Sequence, residues 1–262
     1  MGIKEQKDLY ELSKLIVERM SLQTRRISNF NYSSESLAKI EKAILNIQDG
    51  MKVYDGCCGS GLSVNEAAAG KGIVYLQDLS VQIIGIAAII TILSGNKIGS
   101  IKCGDSILNP ISINDKYDRI VVETPLKVKY KSEYLMYIEE KNVLYSNSGE
   151  SETIGIRHAI ARLNEDGIAI ALVPMGILFR SMKKTIQIRK LLVEDKYVDS
   201  IVELPAGIIP NTGVAAAFVI FKKNKKSEEV FMINAKDFFV KDRKVYLSLI
   251  HISEPTRHAQ IS

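Results

Sequence analysis

Cysteine and histidine are scarce in this chain, three of each in 262 residues. Cys57, Cys58 and Cys103 supply neither an even framework nor the spacing of a metal cluster, and a bridge between the adjacent pair would be badly strained. A disulfide-stapled scaffold and a cysteine-based metal site are excluded, and a reducing, cytoplasmic compartment is expected. Two of the histidines, His251 and His258, fall in a C-terminal stretch of foreign texture and are given no catalytic weight. Long apolar runs are also missing. The longest, Val81 to Leu93, is interrupted by Gln82, Gly85 and Thr91 and is too short to cross a bilayer, while Met1 to Lys7 lacks the apolar core of a signal peptide. No membrane association is expected. Nor is charge of one sign in large excess: a net +5 permits a polyanionic partner through local clusters without demanding one.

What is present suffices for a full core, since 46% of the residues are hydrophobic, and the length suits one α/β domain with an appendage. Leu9, Leu12, Ile16 and Met20 recur at helical spacing and predict an amphipathic helix. After a polar break from Ser28 to Ser34, a second helix is expected from Leu37 to Ile47, capped by Ser33 or Ser34 and ended before Asp49-Gly50. Residues 1–48 thus form an N-terminal helical segment. From Gly50 onward short apolar runs alternate with helical segments, which implies right-handed crossovers and a doubly wound, mostly parallel sheet covered on both faces.

Residues 127–152 are charged, Tyr-rich and poorly periodic, a candidate lid or nucleic-acid-facing loop. A helix from Ile154 to Leu163, a turn at Asn164-Glu165-Asp166-Gly167 and a strand from Ile168 to Val173 resume the rhythm. A basic helix from Lys183 to Val193 leads to a strand at Val198 to Leu204. Val214 to Phe221 and Glu229 to Ile233 then read as a closing antiparallel hairpin around Lys222 to Ser227. The α/β domain is placed at residues 49–247. Ser248 to Arg257 resembles translated adapter sequence, so residues 248–262 are read as a non-native tail and the natural chain as longer.

The chemistry concentrates in two segments. An apolar strand runs into Asp55, and a turn with Gly56, Cys57, Gly59 and Gly61 follows, where missing Cβ atoms let backbone approach a ligand. Such glycines also serve packing alone. Asp78 ends the second strand, where a carboxylate can accept the ribose hydroxyls of an adenosine cofactor, and Asp105 follows the third, where one can accept from an adenine amino group. Each could be a solvated strand-end charge by itself; three at successive strand ends make a ligand site at the carboxyl edge of a parallel sheet the better reading.

The Asp55-to-Gly61 loop, Gln77-Asp78 and Gly104-Asp105-Ser106 resemble the modification subunit of type I restriction systems and its N6-adenine DNA methyltransferase relatives. Residues 171–180 and 204–214 resemble further segments of that subunit, so the resemblance covers roughly residues 30–225. It implies the class I methyltransferase fold, S-adenosylmethionine as cofactor and DNA as substrate. It also implies a separate specificity subunit as partner, with a restriction subunit as a further candidate. Asn31-Tyr32-Ser33-Ser34 stands where the family carries a Tyr-Thr-Pro element contacting the cofactor, which makes Tyr32 a candidate contact; a Tyr packing between helix and core is the alternative.

The same resemblance locates the catalytic segment at Glu123, Thr124, Pro125 and Leu126, in place of the family's Asn-Pro-Pro-Phe or Asn-Pro-Pro-Tyr. In the family the Asn side chain and first Pro carbonyl accept the two amino hydrogens of a flipped adenine, and the aromatic stacks on it. Glu123 keeps an acceptor but carries it a methylene farther out, Thr124 lacks proline's fixed φ, and Leu126 cannot stack. Tyr130 or Tyr134 could replace the platform. Lys127, Lys129 and Lys131, the helix cluster Lys183, Lys184, Arg189 and Lys190, and Lys222 to Lys226 are candidate phosphate contacts or solvated faces. Three readings follow: an adenine-specific DNA methyltransferase, a silent homologue that binds cofactor, DNA or partner subunits, and a methyltransferase with a non-DNA acceptor.

Overall fold

A computed structural model describes residues 3–23, 33–112, 114–124, 151–209, 213–238, 240–242 and 245–248. Tyr32, Pro125, Leu126, the 127–150 part of the expected lid loop with its lysines and tyrosines, and residues 249–262 lie outside the described residues. The chain divides into two units, Met1–Val121 and Val122–Ser262.

In the first unit α1 (Ile3–Gln23) and α2 (Glu35–Leu45) precede β1 (Lys52–Asp55), α3 (Leu62–Ala68), β2 (Ile73–Asp78), α4 (Val81–Ser94), β3 (Lys97–Cys103) and β4 (Tyr117–Val122). The strands run in the order β3-β2-β1-β4, and all three pairings are parallel. Val53, Val74, Leu76, Ile120 and Val121 are buried, as strands covered on both faces require. Tyr54 and Tyr117 stack with ring centroids 4.6 Å apart, and Tyr75 meets Tyr117 edge-on. The chain builds outward from β1 through β2 to β3, then returns to the other side of β1 with β4. In such sheets ligands bind beyond the carboxyl ends of the strands that flank the reversal, here β1 and β4.

Of the two serines expected to cap α2, Ser34 does so: its Oγ accepts from Leu37 N at 3.3 Å. Helix α1 forms where its apolar spacing predicted, but Leu9, Leu12, Ile16 and Met20 are exposed. The side packed on α4 carries Tyr10 and Val17 instead, against Leu62, Ile86 and Ile90. Polar anchors decide the face. Tyr10 Oη donates to Glu66, Lys14 pairs with Glu66 at 3.6 Å, and Gln6 Nε2 donates to Ile92 O at 3.0 Å.

The second unit holds α5 (Ser151–Arg162), β5 (Leu163–Pro174), α6 (Gly176–Phe179), α7 (Lys183–Glu194), β6 (Val198–Glu203), β7 (Ala216–Lys222) and β8 (Phe231–Asn234). Short strands β9 (Val240–Asp242) and β10 (Val245–Ser248) follow and pair antiparallel. Two expectations are corrected here. Asn164 to Gly167 is no turn, because β5 runs through it: Asn224 N donates to Glu165 O at 3.1 Å and Lys223 pairs with the Glu165 carboxylate. The strands expected to close as a hairpin do not pair with each other. β7 lies between β5 and β6, antiparallel to both, and β8 pairs parallel with β6. β7 reads Ala-Ala-Phe-Val-Ile-Phe and is buried along its length, so it belongs inside a sheet, with neighbours on both sides.

Candidate cofactor site

The glycine turn leaves β1 at Asp55 and enters α3 at Leu62. Gly59 and Gly61 both take positive φ, +51° and +71°, a conformation strained for any residue with a Cβ. Gly56 is held by crowding instead: a Cβ there would sit 2.7 Å from Tyr54 Oη and 3.1 Å from Ser106. The turn folds on itself through Gly61 N to Cys58 O at 2.7 Å and is stitched to β2 through Cys58 N to Gln77 O at 3.0 Å.

The structure brings the three carboxylates of the sequence reading to adjacent strand ends of this unit, each gripped by backbone amides. Asp55, buried, accepts from Cys57 N at 2.9 Å. Asp78 accepts from Gly59 N through Oδ2 and from Ser80 N through Oδ1, both at 3.0 Å. It is therefore a clasp on the glycine turn as well as a candidate ribose acceptor. Asp105 accepts from Ile107 N at 2.8 Å and Leu108 N at 3.0 Å through Oδ1 alone. Its second oxygen makes no hydrogen bond among the described residues and is free to accept.

The carboxylates leave an electrostatic mark on the turn. Burial pushes the Cys57 thiol far above its ordinary value, and Asp55 and Asp78 push it further; Ser106 hydrogen-bonds it in the opposite sense. Cys58 is raised for the same reasons, burial first. Both thiols are neutral throughout the physiological range, and a cation is favoured where their negative neighbours converge.

Sequence reasoning missed Gln77 as a structural link. Fully buried, it donates through Nε2 to Asn109 O at 2.8 Å and so ties the glycine turn to the far end of the Asp105 turn. Lys102 Nζ reinforces this by donating to Asn109 Oδ1 and Pro110 O. Gln77 stands beside Asp78 in sequence, but nothing in its spacing separates it from an ordinary strand residue.

Of the expected catalytic segment, Glu123 and Thr124 are described, both half-buried. They follow β4, whose Val121 is in register with Asp55 of β1. Within the second unit Thr124 lies against α5: a Cβ on Gly155 would fall 2.5 Å from Thr124 Cγ2 and 3.0 Å from Val122 Cγ1. Gly155 is a second residue missed, because a helical glycine carries no sign of what it faces.

The basic candidates divide. Arg189 Nη1 donates to Ile177 O and Arg180 O, both at 2.9 Å, and so caps the short helix α6. Lys222 pairs with Asp199, Lys223 with Glu165, and Lys225 donates to Val198 O and Glu229 O. These side chains fasten strand ends. Among the described residues no group of three His, Cys, Asp or Glu side chains could hold a metal ion, and no helix is long and apolar enough to cross a membrane.

The parallel sheet with its switch at β1 and β4, the glycine turn and the acidic strand ends define the class I S-adenosylmethionine-dependent methyltransferase fold. A sequence model of the N-6 DNA Methylase family matches residues 23–255, and the chain belongs to that family. It is 27% identical over 244 residues to the type I restriction enzyme MjaVIII methylase subunit of Methanocaldococcus jannaschii, covering 82% of this chain and 40% of that one. It is 33% identical over 90 residues to the MpnII methylase subunit of Mycoplasma pneumoniae, covering 34% of this chain and 16% of the relative. The chain thus spans less than half the length of these curated relatives. Among solved structures it resembles the type I restriction-modification methyltransferase subunit of Streptococcus thermophilus, with a TM-score of 0.75, 23% identity, and coverage of 83% of this chain and 49% of that one.

Proposed function

We propose that the chain is the cofactor-binding and catalytic part of a modification methyltransferase that transfers a methyl group from S-adenosylmethionine to the N6 amino group of adenine in DNA. The observation that carries this reading is the row of amide-gripped carboxylates at the ends of β1, β2 and the turn after β3. Asp78 accepts the ribose hydroxyls, and the free oxygen of Asp105 accepts from the adenine amino group. Gly56, Cys57, Gly59 and Gly61 give backbone access to the methionyl half beside Asp55. When bound, S-adenosylmethionine supplies an electrophilic methyl on a sulfonium, and that cation suits the negative field of Asp55, Asp78 and Asp105.

The segment from Glu123 to Leu126 receives the target base. The Glu123 carboxylate and Thr124 carbonyl accept the amino hydrogens and aim the nitrogen lone pair, while Leu126 gives apolar contact where relatives stack an aromatic. A separate specificity subunit selects the DNA sequence, with Tyr32 an added contact on the cofactor. The non-proline Thr124, lodged against Gly155, favours the silent homologue as the second reading, in which the cofactor or partner subunits bind and no methyl is transferred.

Calorimetric titration with S-adenosylmethionine separates the readings when combined with transfer of a labelled methyl group to adenine-containing DNA. Saturable binding that weakens at least tenfold in Asp105→Ala supports the cofactor site, and labelled N6-methyladenine supports the enzyme. Asp105→Ala spares the glycine turn, whose hydrogen bonds Asp78→Ala and Asp55→Ala remove, and gives up only the bonds from Ile107 N and Leu108 N in its own turn. Binding without transfer, in the presence of the specificity subunit, selects the second reading. A folded chain that binds no cofactor overturns the enzyme reading and leaves the second only in its partner-binding form.

A further inference from the structure

Helix α4 is apolar almost all round, yet two of its polar side chains, Thr91 and Ser94, converge on one buried point. Thr91 is fully buried and Ser94 half-buried, and both meet Asn65 of α3. Asn65 Nδ2 donates to Thr91 Oγ1 at 2.9 Å and to Gly61 O at 2.8 Å. Its Oδ1 accepts from Ser94 Oγ at 3.0 Å and from Asn96 Nδ2 at 2.9 Å. Asn96, just before β3, uses its own Oδ1 to accept from Gly70 N after α3. Every donor and acceptor of the Asn65 amide is used, which is the condition under which a buried polar network rigidifies what it touches.

What it touches is the glycine turn. Gly61 caps α3 with no side chain of its own, at a φ of +71°, and a Cβ there would meet Ala87, Leu76 and the Asn65 amide at 3.2–3.3 Å. Its carbonyl accepts from Asn65 twice, through the backbone N at 3.1 Å and through Nδ2. The turn is thus clasped at Gly59 by Asp78 and at Gly61 by Asn65.

We propose that Asn65 is a positioning residue for cofactor binding, fixing the Gly59-to-Gly61 backbone from behind through a network anchored in α4 and in Asn96. This rests on the cofactor site proposed above. There Asp78 and Asp105 take the ribose and adenine, so the turn governs the methionyl half and the sulfonium. A loosened turn therefore weakens S-adenosylmethionine more than 5′-methylthioadenosine, which keeps the nucleoside and lacks the amino acid. Damage spread over the whole fold weakens both alike.

The test is calorimetric titration of the full chain and of Asn65→Leu, near in volume and without polar atoms, with each of the two ligands. The expected result is a Kd for S-adenosylmethionine raised about tenfold, the scale of one lost buried hydrogen bond, with that for 5′-methylthioadenosine changed less than about twofold. Unchanged S-adenosylmethionine affinity, or equal weakening of both ligands, overturns the proposal. Should Asn65→Leu not fold, Thr91→Val removes one partner of the amide and keeps the bond to Gly61. It should raise the S-adenosylmethionine Kd about threefold with the same selectivity, and equal or absent effects again overturn the proposal. The unmodified chain serves as the control on the underlying reading: if it binds neither ligand the cofactor site itself fails, whereas normal binding with indifferent variants sinks only the role of Asn65.

Discussion

Gly155 sits inside helix α5, where alanine is ordinarily favoured by about 1 kcal/mol. Here the added methyl would fall 2.5 Å from Thr124 and 3.0 Å from Val122, an overpacking that costs about 1–3 kcal/mol. The clash outweighs the propensity. Gly155→Ala should lower the melting temperature, and under the proposed function it should also impair methyl transfer through displaced Thr124; a rise in melting temperature would refute the close packing. The thiols give a second expectation. Cys103 is exposed, whereas Cys58 is buried and Cys57 half-buried, with both raised by burial and by the Asp55 and Asp78 carboxylates. At pH 8 iodoacetamide should label Cys103 first, as peptide mapping would report. A group whose folded pKa is raised leaves stability whole below its ordinary value and drains it above. Stability should accordingly be insensitive to these thiols below the ordinary thiol value of 9.0 and fall as pH rises past it, which denaturant melts at pH 8 and 10 would measure.

Among the elements, α1 shows why periodicity located a helix but not its buried face. The 3.6-residue repeat requires only that one stripe be apolar, and this helix has two adjoining ones. Tyr10 and Lys14, each able to reach Glu66, settle which is used. Val17 packs on Leu62 and Ile90 from that side, so Val17→Ala should cost about 1–3 kcal/mol, while Leu12→Ala should change stability by less than about 0.5 kcal/mol. Chemical denaturation of the two variants compares them directly, and equal losses would contradict the observed face. The hairpin expected at the C-terminal end failed for a related reason. Two strands joined by a short polar link satisfy the local pattern of a hairpin, but β7 is apolar on both faces and takes β5 and β6 as partners, which leaves β8 to pair with β6.

For the molecule as a whole, ligand binding should be visible as linkage. At a hundred times its Kd, S-adenosylmethionine would stabilise the folded chain by about 2.7 kcal/mol and protect amides of the 55–61 and 104–109 segments from hydrogen exchange. Protection confined to other segments would place the cofactor elsewhere. By itself the sequence determined the alternation of strands and helices, the glycine turn and its three carboxylates. Their signals are local: hydrophobic period, residues without a Cβ, and acids at the ends of apolar runs. Only the tertiary structure decided that Asp78 clasps Gly59. It also decided that Asn65 holds Gly61 and Gln77 reaches Asn109, that Gly155 makes room for Thr124, and that lysines 222, 223 and 225 fasten strand ends. Each of those roles depends on a partner brought near by the fold, and a hydrogen bond or a steric contact acts over a few ångströms of space whatever the distance along the chain.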